Sequence, residues 1–157
     1  LVGSEMCIRD SRTFNLLSIG YAGHMAYEKT AYYWRFVNTR STVHRFHPDY
    51  FEACLNAAEA IKGAISAAWG DNDALQTAYL RQLIGGAFSA VCNYYYKTSP
   101  MSRAERTAAV RQLCQNRALR AAITRTGISD IRADWIMRQN AAMLGLYARA
   151  ANLKHGR

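Results

Sequence analysis

The amino-acid sequence predicts a mainly α-helical fold, a helical bundle of about four to five helices preceded by a short α/β remnant of one helix and two short strands. Its 157 residues include only two prolines and ten glycines, and half of them are hydrophobic. That composition supports one domain with a real core and excludes a disordered chain. Alanine, leucine, arginine and glutamine are abundant in the second half, where apolar residues recur at helical spacing. The composition therefore favours long helices over many short strands.

Charge is distributed unevenly along the chain. The formal net charge is +9, and residues 81 to 157 contain thirteen Lys or Arg against three acids. Such asymmetry is typical of a protein with an anionic partner, such as nucleic acid, a lipid surface or a phosphorylated substrate. A solvated helical face has the same composition. Both interpretations stay open at the level of sequence.

The cysteines and the hydropathy indicate a reducing compartment and no membrane span. Cys54, Cys92 and Cys114 lie in helical patterns without CxxC or Cys/His pairing. They predict buried free thiols in a reducing cytoplasm, and neither a disulfide framework nor a structural metal site. No apolar run in the sequence approaches the roughly 20 residues that span a bilayer, whereas peripheral membrane contact stays open.

The first residues lead us to expect an incomplete chain. Residues 1 to 11, LVGSEMCIRDS, resemble translated sequencing-adaptor read-through, and the alternative is a genuine short polar arm. We therefore treat residues 1 to 12 as an artefactual or disordered segment and leave them out of the fold reasoning. Because the first residue is leucine, we expect a C-terminal fragment of a larger protein.

Residues 13 to 47 predict the short α/β remnant. FNLLSIGYAG is typical of a helix end that closes at Gly20 and Gly23. Aromatic and β-branched residues then concentrate, with alternate side chains on opposite faces, which predicts short strands near 24 to 27 and 31 to 37. Residues 38 to 47 are polar and lack either periodicity, so we expect a loop.

Two long helices are predicted next. Pro48 in the first turn indicates a helix from Asp49 to about Trp69, and GDND, residues 70 to 73, breaks it. A second helix runs from about Asp73 to Lys97. Its expected apolar stripe consists of Leu75, Tyr79, Leu83, Phe88 and Tyr95. The Gly85-Gly86 pair either weakens this helix or lets another backbone approach closely.

The remaining helices have clear local signals. A Ser102–Glu105 capping box predicts the start of the third helix, which stutters around Asn116 and ends near Gly127. Its inward residues are Val110, Leu113, Cys114, Leu119 and Ile123. Ser129 or Asp130 caps a last helix. That helix bears Ile131, Trp135, Ile136, Met143, Leu146 and Tyr147.

Residues 14 to 45 resemble the end of the catalytic domain in bacterial family 2 glycosyltransferases. In that family a helix leads into a strand, then into an aromatic cluster ending in Arg, and then into a polar loop with Ser-Thr and a nearby His. The corresponding elements here are Phe14 to Ala22, Met25 to Glu28, Tyr32-Tyr33-Trp34-Arg35, and Ser41-Thr42 with His44. On this resemblance, residues 13 to 47 end a catalytic domain and residues 48 to 157 form a C-terminal helical bundle.

The resemblance implies a GT-A fold that transfers a sugar from a nucleotide-sugar donor to a glycan or lipid-linked acceptor. It also implies a divalent metal, Mg or Mn, held by an Asp-x-Asp motif, and a carboxylate base for the acceptor hydroxyl. The family's base falls just before Phe14, so we expect the fragment itself to be inactive, with no catalytic residue, cofactor or metal. Asp71 and Asp73 match the metal motif only in a turn between helices, where capping is the expected role.

Three residues are candidates for the donor and acceptor wall that the resemblance implies. Arg35 offers a guanidinium fork suited to phosphate or carboxylate, and its alternative is a salt bridge with Glu28. Ser41 and His44 are candidates to hydrogen-bond sugar or phosphate oxygens, and their alternative is a loop that satisfies its own backbone.

Other aromatic residues predict packing roles. The run Tyr94-Tyr95-Tyr96 has the composition of a stacking surface, but three adjacent helical positions place at least one ring towards the core and one towards the solvent, which favours packing. Trp69 and Trp135 are expected core anchors, and His47 is expected to start a helix.

Two classes of function follow. In the leading hypothesis the basic bundle packs beside a sugar transferase domain in the cytoplasm, with its Arg-rich face towards the anionic inner leaflet of the membrane. The rival is a basic all-helical module that binds nucleic acid or acts as a structural, dimerising part. Nucleic-acid binding is disfavoured because the arginines of residues 103 to 138 spread around the helices instead of forming one stripe.

Overall fold

The computed structural model describes residues 15, 17–22, 24, 26 and 45–154. Within residues 45–154 it contains six helices: α1 (Tyr50–Trp69), α2 (Asp73–Tyr94), α3 (Arg103–Gln115), α4 (Arg117–Thr126), α5 (Ile131–Met137) and α6 (Ala141–Lys154). A further helical stretch covers residues 17 to 21, inside the predicted FNLLSIGYAG helix. The mainly α-helical bundle is therefore confirmed. The two predicted strands lie outside the described residues, except for positions 24 and 26, which are not in a strand.

Helix α2 is the centre of the bundle. It packs against α1, α3, α4 and α6, so residues on several of its sides are covered. Its buried residues are Gln76, Leu80, Leu83, Ile84, Ala87, Phe88, Ala90, Val91, Asn93 and Tyr94. The predicted single stripe was too narrow, because Ile84 and Val91 are buried outside it. Two of its predicted members, Leu75 and Tyr79, are only half-buried. A helix enclosed by four others has no one apolar face for a periodicity to reveal.

The starts and ends of several helices are set by local hydrogen bonds. The predicted capping box is confirmed, because Ser102 N donates to Glu105 Oε2 at 2.6 Å and Glu105 N donates to Ser102 Oγ at 3.2 Å. Gly127 ends α4 in the left-handed conformation, with φ of 56°. Asp130 caps α5 by accepting a bond from Arg132 N at 2.8 Å.

The predicted third helix is two helices. Asn116 is extended, with φ of −62° and ψ of 121°, and its side chain accepts a bond from Leu119 N at 3.0 Å. It therefore ends α3 and caps α4, which turns the expected stutter into a full break. The guanidinium of Arg120 supports this break by donating to Cys114 O at 3.3 Å and to Met137 O at 3.1 Å. Carbonyls at two helix ends are satisfied in this way.

The predicted last helix is also two helices, and this break was not expected. Gln139 has φ of 53°, in the left-handed region that non-glycine residues seldom adopt. Asn140 follows it, and its Oδ1 accepts a bond from Met143 N at 3.1 Å, which caps α6. After this break α6 packs against α2, α3 and α5. Neither Gly nor Pro marks the turn, which is closed by backbone bonds from Gln139 N to Ile136 O at 3.0 Å and from Asn140 N to Trp135 O at 2.8 Å.

The boundaries of α1 and α2 differ from the predicted ones. Helix α1 begins at Tyr50, so Pro48 lies before the helix and not in its first turn, and Asp49 makes no side-chain capping bond. His47 O accepts a bond from Tyr50 N at 3.3 Å, which agrees with its expected place at a helix start. Helix α2 ends at Tyr94, three residues before the predicted Lys97.

The third helix's predicted inward residues and part of the cysteine prediction are confirmed. Val110, Leu113, Cys114, Leu119 and Ile123 are all buried. Burial raises the pKa of the Cys114 thiol to about 11. The three described cysteines are free thiols, but Cys54 and Cys92 are half-buried and not buried as expected. Among the described residues, no helix is both long enough and apolar enough to traverse a bilayer.

The Gly85-Gly86 pair separates into two environments. A Cβ on Gly86 would lie 3.1 Å from Cys54 Sγ and 3.2 Å from Cys54 Cβ, whereas a Cβ on Gly85 would meet nothing within 4 Å. Gly86 therefore lets α1 approach closely through a side chain. Among the described residues, no neighbour of Gly85 requires the missing Cβ.

Candidate functional site

The predicted substrate-binding residues Arg35, Ser41 and His44 lie outside the described residues. The structure does describe the point where the chain leaves that segment and enters the bundle. It also describes the basic second half of the chain. These two regions are the candidate functional surfaces.

Asn93 fastens residues 45 to 47, which we call the entry segment, to α2. Its side chain is only 1% exposed, Nδ2 donates to Arg45 O at 3.0 Å, and Oδ1 accepts a bond from His47 N at 3.1 Å. The amide therefore pairs with backbone on both sides of Phe46, whose ring packs against the core. A buried amide with both ends satisfied holds a segment in one position, since releasing it leaves buried polar groups unpaired. The chain is thus fixed to the bundle directly after the segment of residues 14 to 45.

An open groove lies beside this entry point. It has a volume of about 350 Å³ and is lined by Phe46, Pro48, Pro100, Met101 and Glu105. Its walls are mainly apolar, and Glu105 is already engaged in the capping box at the start of α3. The groove therefore offers shape and apolar contact next to the entry segment, with no free acidic group from Glu105.

Arg132 joins three helices. Its Nη2 lies 2.6 Å from Asp130 Oδ2, its Nη1 donates to Tyr147 Oη at 2.8 Å, and its guanidinium lies over the Phe88 ring at 4.2 Å. The hydrogen bonds from Arg132 hold the pKa of the Asp130 carboxyl below its usual range, and the pair raises the pKa of Arg132. This arginine connects the start of α5 with α2 and α6. Its charge is used inside the fold.

The predicted packing role of the three consecutive tyrosines is confirmed, but the expectation that one of them faces the solvent was wrong. Tyr94 and Tyr96 are each 6% exposed, and desolvation raises the pKa of Tyr94. Tyr95 is half-buried, with the guanidinium groups of Arg106 and Arg149 at 5.7 Å and 5.5 Å from its ring centre. All three can face protein because α2 ends at Tyr94 and the following residues leave the helical path. No base-stacking surface is formed by this run.

A second group of cations is exposed. Within residues 45–154 these side chains make no ion pair: Arg81, Lys97, Arg103, Arg111, Arg117, Arg138, Arg149 and Lys154. Arg125 has an acidic partner, Asp73, at 3.5 Å, but both side chains are largely exposed. The exposed cations are distributed over α2, α3, α4 and α6 and the turns between helices, in agreement with the spread expected from the sequence.

Exposed apolar side chains concentrate on α6. Leu153 is 76% exposed, Leu146 is 60% exposed and Met143 is 36% exposed, and Ile131 at the start of α5 is 63% exposed. The sequence had placed Ile131, Met143 and Leu146 on the last helix without indicating that they face outwards. Their spacing along α6 could have identified a second apolar face, because the buried residues of α6 occupy other positions.

The turn between α1 and α2 has a capping role. Asn72 Oδ1 accepts a bond from Leu75 N at 3.1 Å, so the residue between Asp71 and Asp73 caps α2. In the described part of the chain, His, Cys, Asp and Glu do not form a group of three that could hold a metal ion. Trp69 and Trp135 are half-buried, and Trp135 packs against the core.

Comparison with known proteins adds no assignment. Neither a protein-family model, nor a curated protein, nor a solved structure matches the chain. The function proposed below therefore rests on the residues of the chain and on the contacts described above.

Proposed function

We propose that this chain is the C-terminal part of a glycosyltransferase that transfers a sugar from a nucleotide-sugar donor to a glycan or lipid-linked acceptor. The observation that carries the proposal is the junction at Asn93. The segment that resembles the end of a family 2 catalytic domain stops at residue 45, and Asn93 holds Arg45 and His47 to α2. A bundle that holds the chain at residues 45 and 47 begins directly at the end of the resembling segment, whereas a separate module on a flexible linker would have a free connection there.

In this proposal the chain contributes part of the donor and acceptor wall. Arg35 binds phosphate through its guanidinium fork, and Ser41 and His44 hydrogen-bond sugar or phosphate oxygens. The carboxylate base and the Asp-x-Asp motif with its Mg or Mn ion belong to the preceding part of the enzyme. The metal would neutralise the departing diphosphate. The enzyme acts in the cytoplasm, at the inner face of the membrane.

The test uses the complete protein that contains this chain. We expect saturable binding of a uridine- or guanosine-diphosphate sugar in the presence of Mn, measured by titration calorimetry, and sugar transfer to an acceptor. Arg35→Ala should lower kcat/KM by about 10- to 100-fold, because a charge-assisted hydrogen bond to phosphate is lost. Arg40→Ala is the matched control, since we expect Arg40 to be solvated, and it should leave kcat/KM unchanged.

Two results would contradict the proposal. One is a folded complete protein that binds no nucleotide sugar. The other is an equal loss of activity in the Arg35 and Arg40 variants, which would show that charge alone, and not the Arg35 position, matters.

A further inference from the structure

The outward side of α6 has apolar residues at its centre and basic residues at its edges. We call the surface formed by Met143, Leu146, Arg149, Leu153 and Lys154 the outer face of α6. An advance of about 100° per residue places the Met and the two Leu side chains within an arc of about 80°, with Arg149 at one edge and Lys154 at the other. Leu146 and Leu153 are 60% and 76% exposed. The apolar stripe is therefore bordered by cations on both sides.

The charged residues of α6 and of its flanking segments have one sign. From residue 135 to residue 157 the sequence contains Arg138, Arg149, Lys154 and Arg157 and not a single acid. Neither Arg149 nor Lys154 is in an ion pair within the described residues, although Arg149 lies over the Tyr95 ring. An occupant of this face must therefore accept apolar side chains at the centre and supply negative charge at the edges.

We propose that the outer face of α6 docks on an anionic lipid surface, with the helix axis parallel to the membrane. Leu146, Leu153 and Met143 would enter the boundary between headgroups and acyl chains, and Arg149 and Lys154 would contact the phosphates. This is the arrangement of an interfacial amphipathic helix, in which apolar burial and attraction to anionic headgroups act together. The proposal uses no residue of the segment 13 to 47. Its success or failure is therefore independent of the sugar transferase proposal.

The other occupants fit less well. A two-fold pair of copies would bring each face against itself, and Arg149 and Lys154 would meet cations without an acid on α6 to pair with. Nucleic acid would satisfy the cations with phosphates but would leave Leu146 and Leu153 without an apolar partner. An anionic bilayer satisfies both kinds of side chain.

The experiment is co-sedimentation of the full 157-residue chain with vesicles of phosphatidylcholine alone and with vesicles that also contain phosphatidylglycerol. We expect binding to the anionic vesicles and little to the neutral ones. Leu146→Gln with Leu153→Gln should weaken the binding by about tenfold or more, because two apolar insertions are lost. Since both leucines are exposed, the thermal unfolding midpoint of this variant should not change.

Two charge-matched variants complete the test. Arg149→Gln with Lys154→Gln should weaken binding to anionic vesicles by at least about fivefold, the effect of one cation near such a surface. Arg103→Gln with Arg111→Gln removes the same charge from exposed positions of α3 and should bind almost as the parent chain does.

Four outcomes would overturn the proposal. They are equal binding to neutral and anionic vesicles, unchanged binding of the double leucine variant, and an equal loss in the α3 control, which would mean that only net charge acts. The fourth is the absence of binding to anionic vesicles. Such a chain could instead form a dimer that the leucine substitutions abolish, or bind DNA with a steep salt dependence.

Discussion

Helices α2 and α6 are both apolar on more than one side, yet their surroundings differ. Helix α2 is enclosed by four helices and buries Ile84 and Val91 completely. Helix α6 packs only one side, through small residues such as Ala148 and Gly145, and leaves Leu146 outside. An apolar helix without a single stripe is therefore either the centre of a bundle or a helix with a second, outward surface. The apolar content is similar in the two cases, and the difference is that the buried residues of α2 lie on several sides of the helix whereas those of α6 lie on one.

The largest expected effect separates the two helices directly. Ile84→Ala in α2 should lower the free energy of unfolding by about 2–5 kcal/mol, because it opens a cavity at a fully buried site. Leu146→Ala in α6 deletes a side chain of the same size from an exposed position and should change stability by less than about 0.5 kcal/mol. Urea denaturation of both variants measures the difference. Similar losses would mean that Leu146 is covered, and the comparison would fail.

The second prediction tests how closely the packed side of α6 approaches the end of α2. A Cβ on Gly145 would overlap the Tyr95 hydroxyl and lie 2.9 Å from its Cζ, and the Tyr95 ring is in contact with the guanidinium groups of two arginines. Gly145→Ala should therefore destabilise the protein by about 1–3 kcal/mol despite the better helix propensity of alanine.

Gly85→Ala is the matched control for that substitution. Gly85 lies inside α2, and an added Cβ would meet nothing within 4 Å. It should stabilise the protein by about 0.5–1 kcal/mol through helix propensity alone. If both glycine variants are stabilised in thermal denaturation, then Tyr95 moves freely and α6 is not tightly packed at Gly145.

The third prediction concerns the contacts of Arg132 with Asp130, Tyr147 and Phe88, a polar tie that joins α5 and α6 to α2. Asp130→Asn should cost about 1–2 kcal/mol at neutral pH, because it removes the charged partner of Arg132. The pKa of Asp130 is lowered in the folded state, so its contribution is complete above the ordinary aspartate pKa of about 3.9 and is lost as the pH falls through the folded pKa.

The stability difference between the parent chain and Asp130→Asn should therefore be constant near neutral pH and shrink below about pH 4. Chemical denaturation over this pH range measures it. A difference that persists unchanged into acid would show that shape, and not the charge on Asp130, supports the tie.

Several residues that act on close neighbours in sequence were predicted correctly, although the cap at Asn140 was missed. The capping box at Ser102, the glycine end of α4 at Gly127 and the cap at Asp130 each depend on bonds that span two to four residues. Such bonds form wherever a helix begins or ends and need no distant partner. The inward side of α3 and α4 was also predicted, because these helices have one packed face.

Residues that act across the chain were not predicted. Asn93 would ordinarily be expected at the surface, but its partners are backbone groups 46 and 48 positions away. Asn152 is likewise buried because its Nδ2 donates to Cys92 O, 60 positions away, at 2.9 Å. Arg132 was predicted only as one of the arginines spread around the helices, whereas its guanidinium contacts Asp130, Tyr147 and Phe88. The predicted site at Arg35, Ser41 and His44 stays a prediction from sequence resemblance.

The sequence by itself determined that the protein is mainly helical, that α1 ends at Trp69, that α2, α3 and α5 begin near Asp73, Arg103 and Ile131, and that the second half is strongly basic. These properties follow from composition and from contacts within a turn or two of helix. Tertiary structure alone decided that α2 is central, that Asn93 fixes residues 45 to 47 and which of the two apolar sides of α6 faces outwards. Each of these depends on which helices lie side by side, and burial is a property of that arrangement and not of any short stretch of chain.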